Sequence, residues 1–376
     1  MRPIQMVDTR TQYLKIKSQV DAAILDVLDS SIFIGGKYVQ QFATDLAAYN
    51  GSKHVIPCAN GTDALQIAMM ALELQPGDEV ICPSFTYIAT VEVIALLRLK
   101  PVFVEVDAKT FCIEPDAVRK AITPKTKAIV PVHLYGHAAP MEEIMAIANE
   151  YNLFVIEDNA QAIGGVYTFG NGTKKKTGSM GQIGCTSFYP SKNLGCYGDG
   201  GAMFTDDDLL AEKLRMIANH GQKIRYYHDM VGCNSRLDAI QAAILGIKLK
   251  HLDEYIEART QVADFYDKAF KGHSKITIPY RANYGKHAFH QYTLLLEDVD
   301  RDGLQLFLAD SKIPSMLYYP VPCHRQKMFA TFGGGGVDLK TTDWLTERVI
   351  SLPIHTELDE EQLLLITKKV LEFIDK

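Results

Sequence analysis

The chain has 376 residues, 47% of them apolar, and a formal net charge of -6. That length provides for one large domain and a smaller one with a substantial buried core. The acidic balance argues against nucleic acid as a partner, and no apolar run approaches the ~20 residues of a membrane span.

The N-terminal MRPIQMVDTRTQY lacks the apolar core of a signal peptide. Seven scattered cysteines without a CxxC pair read as small buried side chains in a reducing compartment. The expected location is the cytoplasm. From residue 54 to 158 strand and helix signals alternate: HVIPCA, TDALQIAMMALEL, DEVICPS, TYIATVEVIALLRL, PVFVEVD, EPDAVRKAI, KAIVPVHLY, MEEIMAIANEYN and LFVIED. Short apolar runs bounded by turns such as PGD and TPKT predict a mostly parallel sheet with helices on both faces. TSFYP and GGAMFT extend the sheet, and DDDLLAEKLRMIANHG adds a helix.

From Leu237 to about Phe270 the helical periodicity is continuous and predicts one long bridging helix. The remainder mixes strands (YTLLLED, PSMLYYP) with helices (RDGLQLFLADSK, DEEQLLLITKKVLEFID), which predicts a smaller α+β domain. The expected division is 1–250 and 251–376. GNGTKKKTGS at 170–179 and GGGG at 333–336 read as mobile loops without chemistry.

Ligands of an open parallel sheet bind at the carboxyl ends of its strands, so polar residues just after the apolar runs matter most. Asn60-Gly61-Thr62 follows a strand and opens a helix. Gly61 permits close backbone approach, and Thr62 can cap the helix. The tripeptide is either a plain N-cap turn or an anion site. Tyr87 follows DEVICPSFT, where an aromatic ring packs in the core or stacks on a flat cofactor. Asp158 ends LFVIED, and a carboxylate there needs a cation or a turn to cap. Its neighbour Glu157 points to the other side of the strand. His133 and His137 are spaced i, i+4 but fall at a strand end and loop, so they read as structural. There is no HExxH metal motif, no P-loop and no GxSxG elbow.

The densest signal is TSFYPSKNLGCYGDGGAMFT, residues 186–205. Its one lysine, Lys192, lies in a tight corner between two β-prone runs. A lysine in a dry cleft can lose its proton and form a Schiff base to an aldehyde. Ser187, five residues earlier on the same run, carries a hydroxyl that could bind phosphate.

ANGTDAL, PSFTY, IEDNAQAIG, SFYPSKNLGCYGDGGAMFT and NSRLDAIQAAIL occur in order across nearly the whole chain. Together they resemble the DegT/DnrJ-type sugar-nucleotide aminotransferases. The resemblance implies an α/β fold of the aspartate aminotransferase kind, which is fold type I of the pyridoxal 5'-phosphate (PLP) transferases. It further implies that Lys192 carries the internal aldimine and Asp158 pairs with the pyridine nitrogen. Gln161 would sit beside the ring near its hydroxyl, and Tyr87 would stack on the ring. Gly61, Thr62 and Ser187 would hold the phosphate. Asn234, in NSRLD, would reach the same phosphate from the neighbouring subunit of a homodimer, and Arg236 would lie near the sugar nucleotide. Tyr318-Tyr319-Pro320 stands where the family often has His-Tyr-Pro, so Tyr319 keeps its counterpart on the sugar side and Tyr318 replaces a histidine.

CANGTDALQIAMMAL and IANHGQKIRYYHDMVGCNSRLD are most similar to the enzymes that aminate position 3 of UDP-2-acetamido-2-deoxy-3-oxo-glucuronate. Those enzymes serve O-antigen and lipopolysaccharide synthesis. Relatives accept dTDP-linked 3-keto or 4-keto hexoses. The implied reaction is ping-pong, with L-glutamate leaving as 2-oxoglutarate before the keto sugar enters. Two rivals are a sugar dehydratase on the same fold, which would have histidine in place of Lys192, and a non-catalytic regulator.

Overall fold

The structure is a computed structural model that describes residues 2–332 and 336–376. Two helices, α1 (Thr9–Ser30) and α2 (Gly36–Asn50), precede the alternating region. That region runs β1 (His54–Cys58), α3 (Gly61–Ala71), β2 (Glu79–Pro83), α4 (Ala89–Leu96), β3 (Lys100–Val104), α5 (Pro115–Ala121), β4 (Thr126–Ile129), α6 (Met141–Tyr151) and β5 (Phe154–Asp158). Next come β6 (Val166–Thr168), β7 (Lys174–Lys176), β8 (Ile183–Ser187), β9 (Gly201–Thr205), α7 (Asp208–Ile217), β10 (Gln222–Ile224) and β11 (Tyr227–His228). The C-terminal part holds α8 (Ala239–Leu249), α9 (Leu252–Phe270), β12 (Ile276–Thr277), β13 (Gly285–Lys286), β14 (Tyr292–Leu296), α10 (Arg301–Asp310), α11 (Lys340–Arg348), β15 (Val349–Leu352) and α12 (Glu360–Ile374).

The main sheet has seven strands in the order β1-β9-β8-β5-β4-β2-β3. Its neighbours pair parallel except at β9, which is antiparallel to both β1 and β8. Most positions of these strands are buried on both faces, which is why the runs read as continuously apolar rather than alternating. Ile56, Val80, Cys82, Ala128, Ile156 and Met203 face one core with α3, α4 and α7. Val55 and Phe204 face a second core with α2 and α8, and Ile81, Ile129 and Val155 face a third with α5 and α6.

The smaller antiparallel sheet, β12-β14-β15, packs on residues of α9, α10 and α12. Ile4, from the other end of the sequence, joins this core.

Three expectations need correction. The long helix from Leu237 is two helices, because Lys250 and His251 donate their amides three residues back, to Ile247 and Lys248. That tightens the end of α8, and His251 leaves helical geometry at φ -104, ψ 1 before α9 begins. Periodicity persists across such a break because both helices bury a face there. PSMLYYP is not a strand: Met316 alone bridges to Ser351. Within 170–179, Lys174–Lys176 is not loop but pairs with β6 as a hairpin. The expected glycine loop at 333–336 lies outside the described residues except for Gly336. No helix among the described residues is long and apolar enough to cross a membrane.

Candidate active site

Lys192 lies in the connection from β8 to β9, inside the main sheet rather than at its edge. The turn is closed by backbone bonds, Lys192 N to Tyr189 O (2.8 Å) and Cys196 N to Phe188 O (2.8 Å). Gly195 is required, since a Cβ there would lie 2.5 Å from the Pro190 carbonyl oxygen. Helix α8 holds the far side: Gln241 accepts from Tyr197 N (2.8 Å) and donates to Tyr197 O (3.3 Å). The buried Lys248 amine donates to the Gly195 carbonyl. Desolvation lowers the Lys192 pKa to about 8, and the Asp158 carboxylate opposes the shift.

This lysine opens into a cavity of about 660 Å³. Gly61, Thr62, Tyr87, Asp158, Gln161, Ser187, Tyr318 and Tyr319 line it with Lys192, so nine of the residues singled out in the sequence meet at one place.

Asp158 is 6% exposed at the end of β5. Its carboxylate accepts from the Thr90 hydroxyl (2.7 Å) and the Ala160 amide (3.1 Å). Both donors are neutral, so its charge remains available to a ligand cation. Glu157 turns the other way. It accepts from Gly178, Met180 and Gly181 amides at 2.6–2.8 Å and lies 2.8 Å from His133 Nε2. Those bonds hold its carboxyl below the usual range despite full burial. His133 is thus a structural partner, and burial pushes His137 down to about 4.

The start of α3 also lines the cavity. Asn60, not Thr62, is the N-cap, its side-chain oxygen accepting from Asp63 N at 2.8 Å. Thr62 falls inside the first turn, because the extended backbone needed for capping occurs at Asn60 (φ -166, ψ 172). The Gly61 and Thr62 amides have no acceptor within the helix, and the helix dipole favours an anion there. A Cβ on Gly61 would lie 2.7 Å from Ser187 Cβ. The Ser187 hydroxyl also receives the Tyr189 amide, at 3.3 Å. Gly61→Ala should therefore lower the affinity for a phosphate-bearing cofactor by about tenfold or more. Equilibrium dialysis of the cofactor checks this; unchanged affinity would show that the phosphate binds elsewhere.

Gln161 donates to Tyr319 Oη (2.9 Å) and accepts from Tyr135 N (2.7 Å). The Tyr135 hydroxyl in turn donates to the Tyr318 carbonyl. Tyr87 is 56% exposed on the rim, its ring 6.0 Å from that of Tyr319. Asn234 and Arg236 are not in this cavity. Asn234 is exposed and bridges to the Asn219 backbone, and Arg236 donates to Asn219 Oδ1 at 3.4 Å.

Sequence reasoning missed Thr90, Tyr135 and His290. Thr90 was detectable as a hydroxyl on the otherwise apolar helix ATVEVIAL. Tyr135 acts through its backbone amide on Gln161 and its hydroxyl on the Tyr318 carbonyl, contacts distant in sequence that leave no sequence signal. His290 and Gln291 form a polar pair opening an apolar strand.

The donor set fits PLP. It offers an amine that loses its proton readily, a buried carboxylate with neutral partners, and a glycine-lined cradle at a helix N-terminus. Among the described residues no cluster of His, Cys, Asp or Glu could hold a metal ion.

The family model for the DegT/DnrJ/EryC1/StrS aminotransferases matches residues 14–371. The "Pleiotropic regulatory protein" of Geobacillus stearothermophilus is 46% identical, over 98% of this chain and 98% of that protein. The UDP-2-acetamido-2-deoxy-3-oxo-D-glucuronate aminotransferase of Pseudomonas aeruginosa is 44% identical, over 96% of this chain and 98% of that protein. The crystal structure of S. venezuelae DesV in complex with a ketimine intermediate superposes with a TM-score of 0.95, at 38% identity, covering 100% of both chains.

Proposed function

The chain belongs to the DegT/DnrJ/EryC1/StrS aminotransferase family, and from that premise we propose that it moves an amino group from L-glutamate to a nucleotide-linked keto sugar. The proposed acceptor is the 3-keto carbon of UDP-2-acetamido-2-deoxy-3-oxo-glucuronate, in the synthesis of a surface polysaccharide such as O-antigen. The chain is an enzyme, an aminotransferase of fold type I, and its cofactor is PLP. The observation that carries the reading is the meeting of a readily deprotonated lysine and a neutrally partnered aspartate in one cavity.

When bound, PLP holds the amino group and withdraws electron density from the carbon that loses its proton. The protein's part is to supply and place charges. Lys192, a free base above about pH 8, is positioned to anchor the cofactor and then carry the proton. Asp158 gives the ring nitrogen its counter-charge. The amides of Gly61 and Thr62 and the hydroxyl of Ser187 take the phosphate. Gln161, held at both ends, would contact the cofactor ring, and Tyr87, on the rim, would stack on it. Tyr318 and Tyr319 serve the sugar side.

The position of Asn234 and Arg236 outside the cavity supports their use by a second copy of the chain. A mixture of Lys192→Ala and Asn234→Asp subunits tests this. Each protein alone should be inactive, the second because a carboxylate would face the phosphate. Random exchange should restore about a quarter of wild-type activity, because half the dimers are mixed and each has one intact site. No recovery after proven exchange would place Asn234 in its own subunit's site.

The substrate is tested by measuring amine formation across a panel of keto-sugar nucleotides. UDP-2-acetamido-2-deoxy-3-oxo-glucuronate should turn over with the highest kcat/KM; a dTDP-linked 3-keto or 4-keto deoxyhexose in first place would overturn that choice. The regulatory reading is favoured by the name of the Geobacillus relative alone. A yellow protein that fades on adding L-glutamate would exclude a purely non-catalytic role.

A further inference from the structure

The segment from Met316 to His324 is a strap pinned at both ends. At its start Met316 exchanges two backbone bonds with Ser351 of β15, at 3.1 and 2.8 Å. At its other end Cys323 N donates to the carbonyl of Ser84 (2.9 Å), the residue that follows β2. Between the pins lie Tyr318 and Tyr319, which line the cavity with Lys192. Phe85 and Tyr87, just beyond Ser84, have their rings 6.5 and 6.0 Å from that of Tyr319. The hold of Ser84 on the strap therefore decides where the two tyrosines stand in the cavity.

His324 completes the second pin. Its amide donates to Ser84 Oγ (3.0 Å), and its ring Nδ1 lies 2.7 Å from the same oxygen. The hydroxyl has one hydrogen and Nδ1 accepts it, so the ring proton sits on Nε2. Nε2 faces Asp343 Oδ1 of α11 at 3.4 Å, and a carboxylate favours a protonated nitrogen there. Arg325 holds that carboxylate in turn, its Nε donating to Oδ1 at 3.2 Å. Burial holds the imidazole pKa below its ordinary value.

Ser84, His324 and Asp343 stand in the order of a hydrolytic triad, but Ser84 is 0% exposed, so no substrate reaches its hydroxyl. Three hydrogen bonds on one buried serine make a fastening instead, because breaking any of them leaves a buried polar group without a partner. We infer that His324 is a positioning residue for the sugar half of the reaction: its ring, fastened to Ser84, sets where Tyr318 and Tyr319 stand on the cavity wall. His324 itself is not on that wall. The inference rests on the two tyrosines serving the sugar side.

The test reads the two half-reactions separately in the holoenzyme. L-Glutamate loads the amino group, and UDP-2-acetamido-2-deoxy-3-oxo-glucuronate then removes it, each followed by the cofactor's absorption. In His324→Leu the sugar half should lose about 10–100-fold in kcat/KM, while the L-glutamate half stays within about threefold. Asn places an acceptor oxygen near the position of Nδ1, whereas Gln places its own near Nε2. His324→Asn should therefore approach wild type, and His324→Gln should resemble His324→Leu. Ser84→Ala combined with His324→Leu should be no worse than the worse single change, since both break one fastening. Hydrogen exchange of residues 316–325 should quicken in the Leu and Gln variants but not in the Asn variant. The Asn and Gln pair carries the test if the Leu variant does not fold. Equal losses in both half-reactions, equal behaviour of the Asn and Gln variants, or unchanged exchange would overturn the inference. Tyr318→Ala and Tyr319→Ala check the reading beneath it. If both leave the sugar half unchanged, the tyrosines do not serve the sugar and the inference falls with that reading; if they slow it and His324→Leu does not, the inference falls alone. Wild type that takes the amino group from L-glutamate but does not pass it to this sugar would overturn the proposed acceptor, and the inference with it.

Discussion

Lys192→Ala should reduce amine transfer by about 10⁴-fold or more, because one side chain supplies both the cofactor anchor and the proton carrier. The fold should survive. The side chain projects into a cavity, and its loss removes no core contact that the sheet needs. Stability should even change in an informative direction. The amine titrates near 8 in the folded chain against 10.5 ordinarily, so the unfolded chain binds more protons between those values. Cofactor-free wild type should gain stability as pH rises through that window, and Lys192→Ala should lack that part of the slope. Thermal melts of both proteins from pH 7 to 10 measure it. Identical slopes would mean that Lys192 is solvated in the folded chain.

Asp158→Asn should slow proton removal from L-glutamate by about 10²–10⁴-fold. The carboxylate is hydrogen-bonded only to neutral donors, Thr90 and Ala160, so its charge is available to a cationic ring nitrogen. Asparagine keeps the size and can still accept from Thr90, but it offers no charge. Cofactor affinity should fall less than the rate, because the amides of Gly61 and Thr62 and the hydroxyl of Ser187 are left unchanged. Single-turnover absorbance changes with α-deuterated L-glutamate separate the two effects. Near-wild-type rates in Asp158→Asn would reduce the residue to a cap for the turn at Ala160.

Much of this site was legible because parallel sheets put chemistry at strand ends. Asp158 closes LFVIED, Ser187 closes β8, and Gly61 follows β1, so each could be named from an apolar run and its next polar residue. The Lys192 corner was legible from its glycines, one of which, Gly195, has no room for a side chain. Residues that act through tertiary contacts were not. Asn60 took the capping role assigned to Thr62 because helix starts are uncertain by a residue or two. Lys248 and Arg259 gave no signal as buried cations, since their partners are backbone carbonyls distant in sequence. The break at Lys250–His251 was hidden by two helices whose apolar faces follow one another without a glycine or proline between them.

The central claim is that Lys192 is the lysine that holds the cofactor. Reducing the holoenzyme with borohydride fixes the cofactor to its lysine, and peptide mapping by mass spectrometry locates it. The account predicts the label on the SFYPSKNLG segment at Lys192, with none elsewhere. A label on any other lysine, including the second buried amine at Lys248, would contradict it.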